Sequence, residues 1–323
     1  MKIQIVNYSP ADHKSSGKKG AWHRIAIEME KKGHKIDFIT KEKWPTFYLR
    51  YLKFRPDIII ITHMIGYFVV KLKKLGLIRC PILFAWQDHY TEVMGRKWGI
   101  SRIAKIENYI GENADIITTP STFRTQINKL LGLKTIHIQH GITENIKQIK
   151  AKKLSEKRLK FIYLGEISKY KNVDNIINAF KNKKAVLYLL GSLTNKEIIK
   201  NLPKNVKFLG FKKHEEAISY VKGCDIAINA NDQDTSLKMY EYLACGKPIL
   251  APRGRIVYTL TPGKECFICD DFSKGVDYLI KHPKVVNELS KNAKKFKNIT
   301  WKQNAEQQLA VIYKLLKQNK RKK

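Results

Sequence analysis

Three observations predict a doubly wound α/β protein with two parallel sheets in tandem. Short apolar, β-branched runs recur along the chain, each followed by a polar turn and then a stretch with helical period. That alternation is how a parallel sheet flanked by helices is written in sequence. The series pauses at the polar, basic stretch 147–158 and then begins again. With 323 residues, the chain is long enough for two units of about 150 residues, each with its own core.

The first series predicts strands at 2–7, 35–38, 57–62, 82–86, 115–119 and 135–139. Between the first two lies Gly17-Lys18-Lys19-Gly20, a turn able to lie against phosphates, although it lacks the G-x-G-x-x-G spacing of a dinucleotide site. The helix after it carries Trp22, Ile25, Ala26 and Met29 at i, i+3, i+4, i+7, which predicts a buried face, and Gly33 closes it. Residues 41–55 interleave Trp44, Phe47, Tyr48, Tyr51 and Phe54 with Lys41, Lys43, Arg50, Lys53 and Arg55. Such a segment suits a membrane interface, with Lys71, Lys73 and Lys74 in support; it equally suits a helix packed on the sheet with snorkelling cations. Gln87-Asp88-His89 follows the fourth strand and His140-Gly141 the sixth.

Domain boundaries are predicted at 1–150 and 158–299, with 147–158 as the linker. Strands of the second series fall at 160–164, 185–190, 206–209, 225–229, 248–251 and 266–269. Thr300 and Gln303 read as a capping box opening a last helix with Ala305, Leu309, Ile312, Tyr313 and Leu316 on one stripe.

Composition excludes several classes. No run of about 18 uncharged apolar residues marks a membrane span, and the N-terminus reads as a strand, so a cytoplasmic protein, peripheral at most to the inner face of a membrane, is expected. Five cysteines argue against a disulfide framework, and Cys266-Phe267-Ile268-Cys269, lacking a second pair, reads as a strand. The 62 Lys and Arg against 28 Asp and Glu give a formal charge of +34, which favours a polyanionic partner. No zinc-finger spacing or aromatic RNA motif accompanies the charge, so nucleic acid is not the expected partner, whereas an anionic membrane surface is admitted.

The chemistry concentrates after the strand at 225–229. Asn231-Asp232-Gln233-Asp234-Thr235-Ser236 leads into a helix over about 236–245, ended by Gly246 with Pro248 beyond. Lys238 and Glu241, three apart, share a face near its N-terminus. Free N–H groups around Ser236 and Leu237 together with Lys238 suit phosphate oxygens, and a carboxylate suits a sugar diol. An ordinary βαβ unit with a solvated charged face accounts for the spacing equally well.

The run 238–248 resembles the donor-binding helix of the GT-B glycosyltransferases known as glycosyl transferases group 1, in which two carboxylates with seven residues between them straddle a nucleotide sugar. Glu241 matches the second; Gln233 stands at the first. Gly165-Glu166 through Lys171 is similar to that family's Gly-Arg-x-x-x-x-Lys-Gly segment, whose Arg and Lys clamp the donor diphosphate. Lys171 keeps the Lys; Glu166 replaces the Arg. The resemblance implies two Rossmann-like domains facing a cleft, an N-terminal acceptor domain with the helix 300–318 packing back on it, and a C-terminal donor domain.

It also implies a retaining hexosyl- or glycosyltransferase that needs no metal. The donor would be a nucleotide sugar of UDP or GDP type, taken as substrate with no cofactor, and the acceptor a glycan or lipid-linked molecule. Catalytic positions fall on Gln233, Asp234, Asp88 and His89, donor contacts on Gly165, Glu166, Lys171, Ser236, Leu237, Lys238 and Glu241, and the phosphate loop on Gly17, Lys18, Lys19 and Gly20. Asp232-Gln233-Asp234 also fits a D-x-D metal motif of a different glycosyltransferase fold. The second hypothesis is a catalytically impaired basic protein of the same fold binding nucleic acid or anionic lipid; a third is an isomerase or phosphorylase.

Overall fold

The computed structural model describes residues 1–7, 20–87, 90–91 and 99–321. Gly17, Lys18, Lys19, Asp88 and His89 lie outside the described residues. Two compact units divide the chain: unit 1 is Met1–His140 with Trp301–Lys323, and unit 2 is Gly141–Thr300.

Unit 1 holds strands β1 (Lys2–Val6), β2 (Lys35–Ile39), β3 (Ile58–Ile61), β4 (Ile82–Ala85), β5 (Ile116–Thr119) and β6 (Thr135–His137). They form one parallel sheet in the order β2-β1-β3-β4-β5-β6. Its helices are α1 (Ala21–Lys31), α2 (Phe47–Phe54), α3 (Gly66–Lys74), α4 (Ile100–Asn113), α5 (Thr122–Leu130) and, from the C-terminus, α11 (Trp301–Lys320). Strand β3 is Ile58-Ile59-Ile60-Ile61, wholly buried, as a strand covered on both faces requires. α1 buries Trp22, Ile25, Ala26 and Met29, the four positions its period predicts. α11 packs against α1 and buries Ala305, Leu309 and Ile312. Tyr313, by contrast, is 52% exposed, and Val311 and Leu315 are buried instead: over 20 residues the 3.6-residue period carries the inner stripe past Tyr313.

Unit 2 repeats the plan with β8 (Leu159–Leu164), β9 (Ala185–Leu190), β10 (Val206–Phe208), β11 (Ile226–Ile228), β12 (Ile249–Pro252) and β13 (Cys266–Cys269) in the parallel order β10-β9-β8-β11-β12-β13. Helices α6 (Val173–Ala179), α7 (His214–Gly223), α8 (Leu237–Ala244), α9 (Phe272–Lys281) and α10 (Pro283–Lys295) cover it. One core lies around Phe161, Ile176, Phe180 and Leu279, the other around Ile162, Ile218, Met239 and Tyr242. Alternate residues of β8 thus serve opposite cores, the period of two expected of a strand. Cys266 and Cys269 lie buried in β13, and burial pushes both thiols up to about 12. A short parallel pair, β7 (Gly141–Ile142) with β14 (Ile299–Thr300), sits where the chain enters and leaves the unit.

The stretch 147–158 departs from the linker expectation. Lys152 N–H donates to Ser219 O at 2.8 Å, and Lys222 Nζ donates to the carbonyls of Lys147 and Ile149 at 2.9 and 2.7 Å. These are backbone attachments, invisible to composition, and they fix the segment along α7 within unit 2. Among the described residues no helix is long and apolar enough to cross a membrane.

Candidate donor site

The site is assembled at the carboxyl edge of the unit 2 sheet, where the strands of an open α/β sheet present their ligands. β8 ends at Leu164 and the chain turns at Gly165, φ 145°. Gly191, which follows β9, has φ 150°, and a Cβ there would stand 1.6 Å from Gly165 O. The two strand ends therefore touch backbone to backbone, and only glycine permits it. A Cβ on Gly165 would in turn come within 3.3 Å of Lys238 Nζ, so that ammonium lies directly over the turn.

Lys238 is in the first turn of α8, whose N-cap Ser236 makes no side-chain cap bond. Its Nζ stands over the Tyr163 ring at 4.2 Å from the centroid, a cation–π contact that supports the charge from beneath. Burial, and then the charge of Lys171, pushes the Lys238 ammonium down to about 7. Lys171 ends the 3-10 turn Lys169–Lys171, where Ser168 Oγ accepts from Lys171 N at 3.3 Å. Asn172, where the resembled motif has glycine, takes the left-handed conformation at φ 59°, one that asparagine tolerates. Among the described residues neither lysine has a carboxylate partner. Two lysines near enough to act on each other, beside the positive end of a helix, are chemically suited to an anion.

One turn along α8, Glu241 is 9% exposed, and its Oε1 is 2.8 Å from His214 Nε2 at the start of α7. The bond fixes one carboxylate oxygen and leaves Oε2 for a second donor. Glu166 is turned to a neighbour: Thr194 Oγ1 donates to its Oε1 at 3.0 Å. Gln233 is half-buried, with Oε1 accepting from Asn231 Nδ2 at 3.4 Å. Asp232 pairs with Arg255 at 3.3 Å, and its Cβ lies 2.3 Å from where a Cβ on Gly254 would stand, so the loops after β11 and β12 are clasped. Asp234 has no accessible surface, which takes it out of reach of a bound sugar in this conformation.

The structure thus brings Gly165, Lys171, Ser236, Leu237, Lys238 and Glu241 to one sheet edge, with Glu166 and Gln233 beside them. Spacing did not reveal Tyr163, Thr194 and His214; of these only His214, opening a helix after β10, had a sequence signal. In unit 1, Gly20 is the N-cap of α1 and its carbonyl accepts from His23 and Arg24. Buried Glu107, also unforeseen, accepts from Trp86 Nε1 at 2.8 Å and from the backbone of Tyr90 and Thr91 at 2.9 and 3.1 Å. His140 is buried with its imidazole pushed down to about 4, first by burial and then by His137, and its ring lies 6.4 Å from that of Trp301.

Comparison with known proteins bears on this arrangement. Residues 144–296 match the family "Glycosyl transferases group 1". A glycosyltransferase from Methanocaldococcus jannaschii is 27% identical over 189 residues, 51% of this chain and 48% of that protein, so the chain spans about half the length of the curated relative it matches. Sucrose-phosphate synthase from Thermosynechococcus elongatus superposes with a TM-score of 0.80 at 16% identity, covering 97% of this chain and 98% of that one. Anabaena HepE, solved with UDP-glucose, gives 0.73 at 15% identity, covering 97% of this chain and 100% of that one. At these identities the likeness concerns the fold, which is that of GT-B proteins.

Proposed function

We propose, for a chain whose residues 144–296 match the group 1 glycosyltransferases and whose fold is that of GT-B proteins, that unit 2 binds a nucleoside diphosphate sugar and that the protein transfers the sugar to a glycan or lipid-linked acceptor. The observation that carries this reading is Lys238, its Nζ over Gly165 at the opening of α8, with the charge of Lys171 near enough to act on it and no carboxylate paired with either among the described residues. The donor diphosphate lies against the two ammoniums and the first N–H groups of α8; the ribose diol donates to Glu241, whose orientation His214 sets. Gln233 offers its amide to hydroxyls of the transferred sugar. The HepE complex with UDP-glucose supports a donor of UDP type.

In the reaction the bond from the anomeric carbon to the diphosphate oxygen breaks and a bond from the acceptor oxygen to that carbon forms. The acceptor proton passes to the departing phosphate, and the configuration is retained. Charge growing on the leaving group is met by Lys171, Lys238 and the α8 N-terminus, in place of a divalent cation. Glu166 at a position where the family carries Arg leaves two cations to do this.

Calorimetric titration with UDP, GDP and ADP in the presence of a chelator tests the reading. One nucleoside diphosphate should bind, and binding should fall about 10- to 100-fold in Glu241→Ala, the loss of a hydrogen bond to a charged group. Equal, weak retention of all three, unchanged in Glu241→Ala, refutes it.

A further inference from the structure

A second surface of unit 1 has features the transferase reading leaves unused. At the amino edge of its sheet, where β1, β3, β4 and β5 begin, an open cavity of 1390 Å³ is lined from α2, the connection from α3 to β4, and the end of α11. Leu52, Leu77 and Tyr313 line it and are 49%, 45% and 52% exposed. Leu49, on the same face of α2, and Leu75, closing α3, are 68% and 72% exposed. Large apolar side chains concentrated so on one face mark a contact surface.

Charge narrows the kind of partner. The two carboxylates of the lining are already engaged: Asp57 accepts from Lys2 N at 2.7 Å, and Asp115 accepts from Ile82 N at 2.6 Å and pairs with Lys73. The cations Arg55, Arg79, Lys317 and Lys320 also line the cavity and have no ion-pair partner among the described residues. Lys53 follows Leu49 by one turn of α2, and Lys71 precedes Leu75 by one turn of α3. A small soluble anion accounts for the cations and leaves the leucines unexplained. A folded apolar partner accounts for the leucines and leaves the cations uncompensated. A surface with anionic phosphates above and hydrocarbon below accounts for both.

We propose that this amino-edge face docks on an anionic lipid bilayer, its cations against headgroup phosphates and Leu49, Leu52, Leu75 and Leu77 entering the boundary with the acyl chains. The carboxyl edge of the same sheet, with Gln87 and His63, lies at the other end of the strands and stays free. The inference does not depend on the donor chemistry of unit 2.

Vesicle flotation tests it, with phosphatidylglycerol–phosphatidylcholine vesicles against pure phosphatidylcholine. The protein should partition at least about tenfold more strongly into the anionic vesicles. The variant Leu49→Ser/Leu52→Ser/Leu75→Ser, altered at exposed positions, should lose about tenfold while keeping its melting temperature and its UDP affinity. Arg79→Glu/Lys317→Glu/Lys320→Glu should lose the preference for anionic vesicles. If the leucine variant floats like the parent protein, the contact is mere adsorption of a basic protein and the proposal falls. It falls equally if transfer RNA competes the protein off the vesicles and the same lysines and arginines carry that binding.

Discussion

With the donor diphosphate on Lys238 as proposed, donor affinity should depend on pH above neutrality, in a range where few other groups titrate. In the free protein its ammonium is pushed down to about 7, by burial and then by Lys171, so about half of the molecules carry the charge at pH 7 and about 1% at pH 9. The diphosphate binds the charged form, which must therefore be drawn from a shrinking fraction as pH rises. UDP affinity should weaken about 50-fold from pH 7 to pH 9. Terminal phosphates titrate near pH 6 and histidines at about 6.5, so neither supplies a slope in that window. Lys238→Arg is the control, since a guanidinium stays charged throughout and should flatten the profile. Isothermal titration calorimetry at half-unit intervals reads both proteins, and proton uptake on binding, seen as a buffer-dependent enthalpy, should vanish in the arginine variant. A flat profile in the parent protein, or the same slope in Lys238→Arg, refutes the placement of Lys238 on the phosphates.

The remaining predictions follow from single contacts. Because the folded-state value of Lys238 lies below its unfolded value of 10.5, the unfolded chain holds more protons between about pH 7 and 10.5, so this group's contribution to stability falls as pH drops across that interval and is fully lost below about 7. Lys238→Met should therefore raise the melting temperature of the unliganded protein at pH 6 while abolishing UDP binding, as scanning fluorimetry can show. His214→Phe should weaken UDP binding by about 1 kcal/mol, the scale of one hydrogen bond, by releasing Glu241; calorimetry with unchanged affinity would deny His214 that role. Glu166→Arg should free Thr194 and add a cation, strengthening UDP binding about tenfold. Gly191→Ala has no room beside Gly165 O and should cost more than about 3 kcal/mol in a urea titration.

Most of the architecture was legible because parallel strands covered on both faces must be apolar throughout. Ile58 to Ile61, Ala185 to Leu190 and Cys266 to Cys269 lie in strands that begin and end within a residue or two of their apolar runs. Boundaries slipped at both edges: Trp86 and Gln139 follow their strands at the carboxyl edge, and Asp57, Asp115 and Asp225 precede theirs at the amino edge. The stretch 147–158 read as a linker since its attachments run through carbonyls and amides, which no side-chain pattern reports. In the site, Lys238 and Glu241 were legible because both stand on one helix at fixed spacing, and Lys171 through its motif. Tyr163, Thr194 and His214 reach the same place from other elements, and only the sheet order brings them there. Asp234 shows the converse: adjacent to Gln233 in sequence, it points to no accessible surface.

Where a nucleoside diphosphate settles on unit 2 is the most direct test of the proposed donor site. A crystal structure of the protein grown with UDP and a chelator should place the two phosphates between Lys171 Nζ, Lys238 Nζ and the opening turn of α8, with the ribose hydroxyls on Glu241. Phosphates bound elsewhere, or a ribose held by Asp232 while Glu241 remains engaged only with His214, would contradict it.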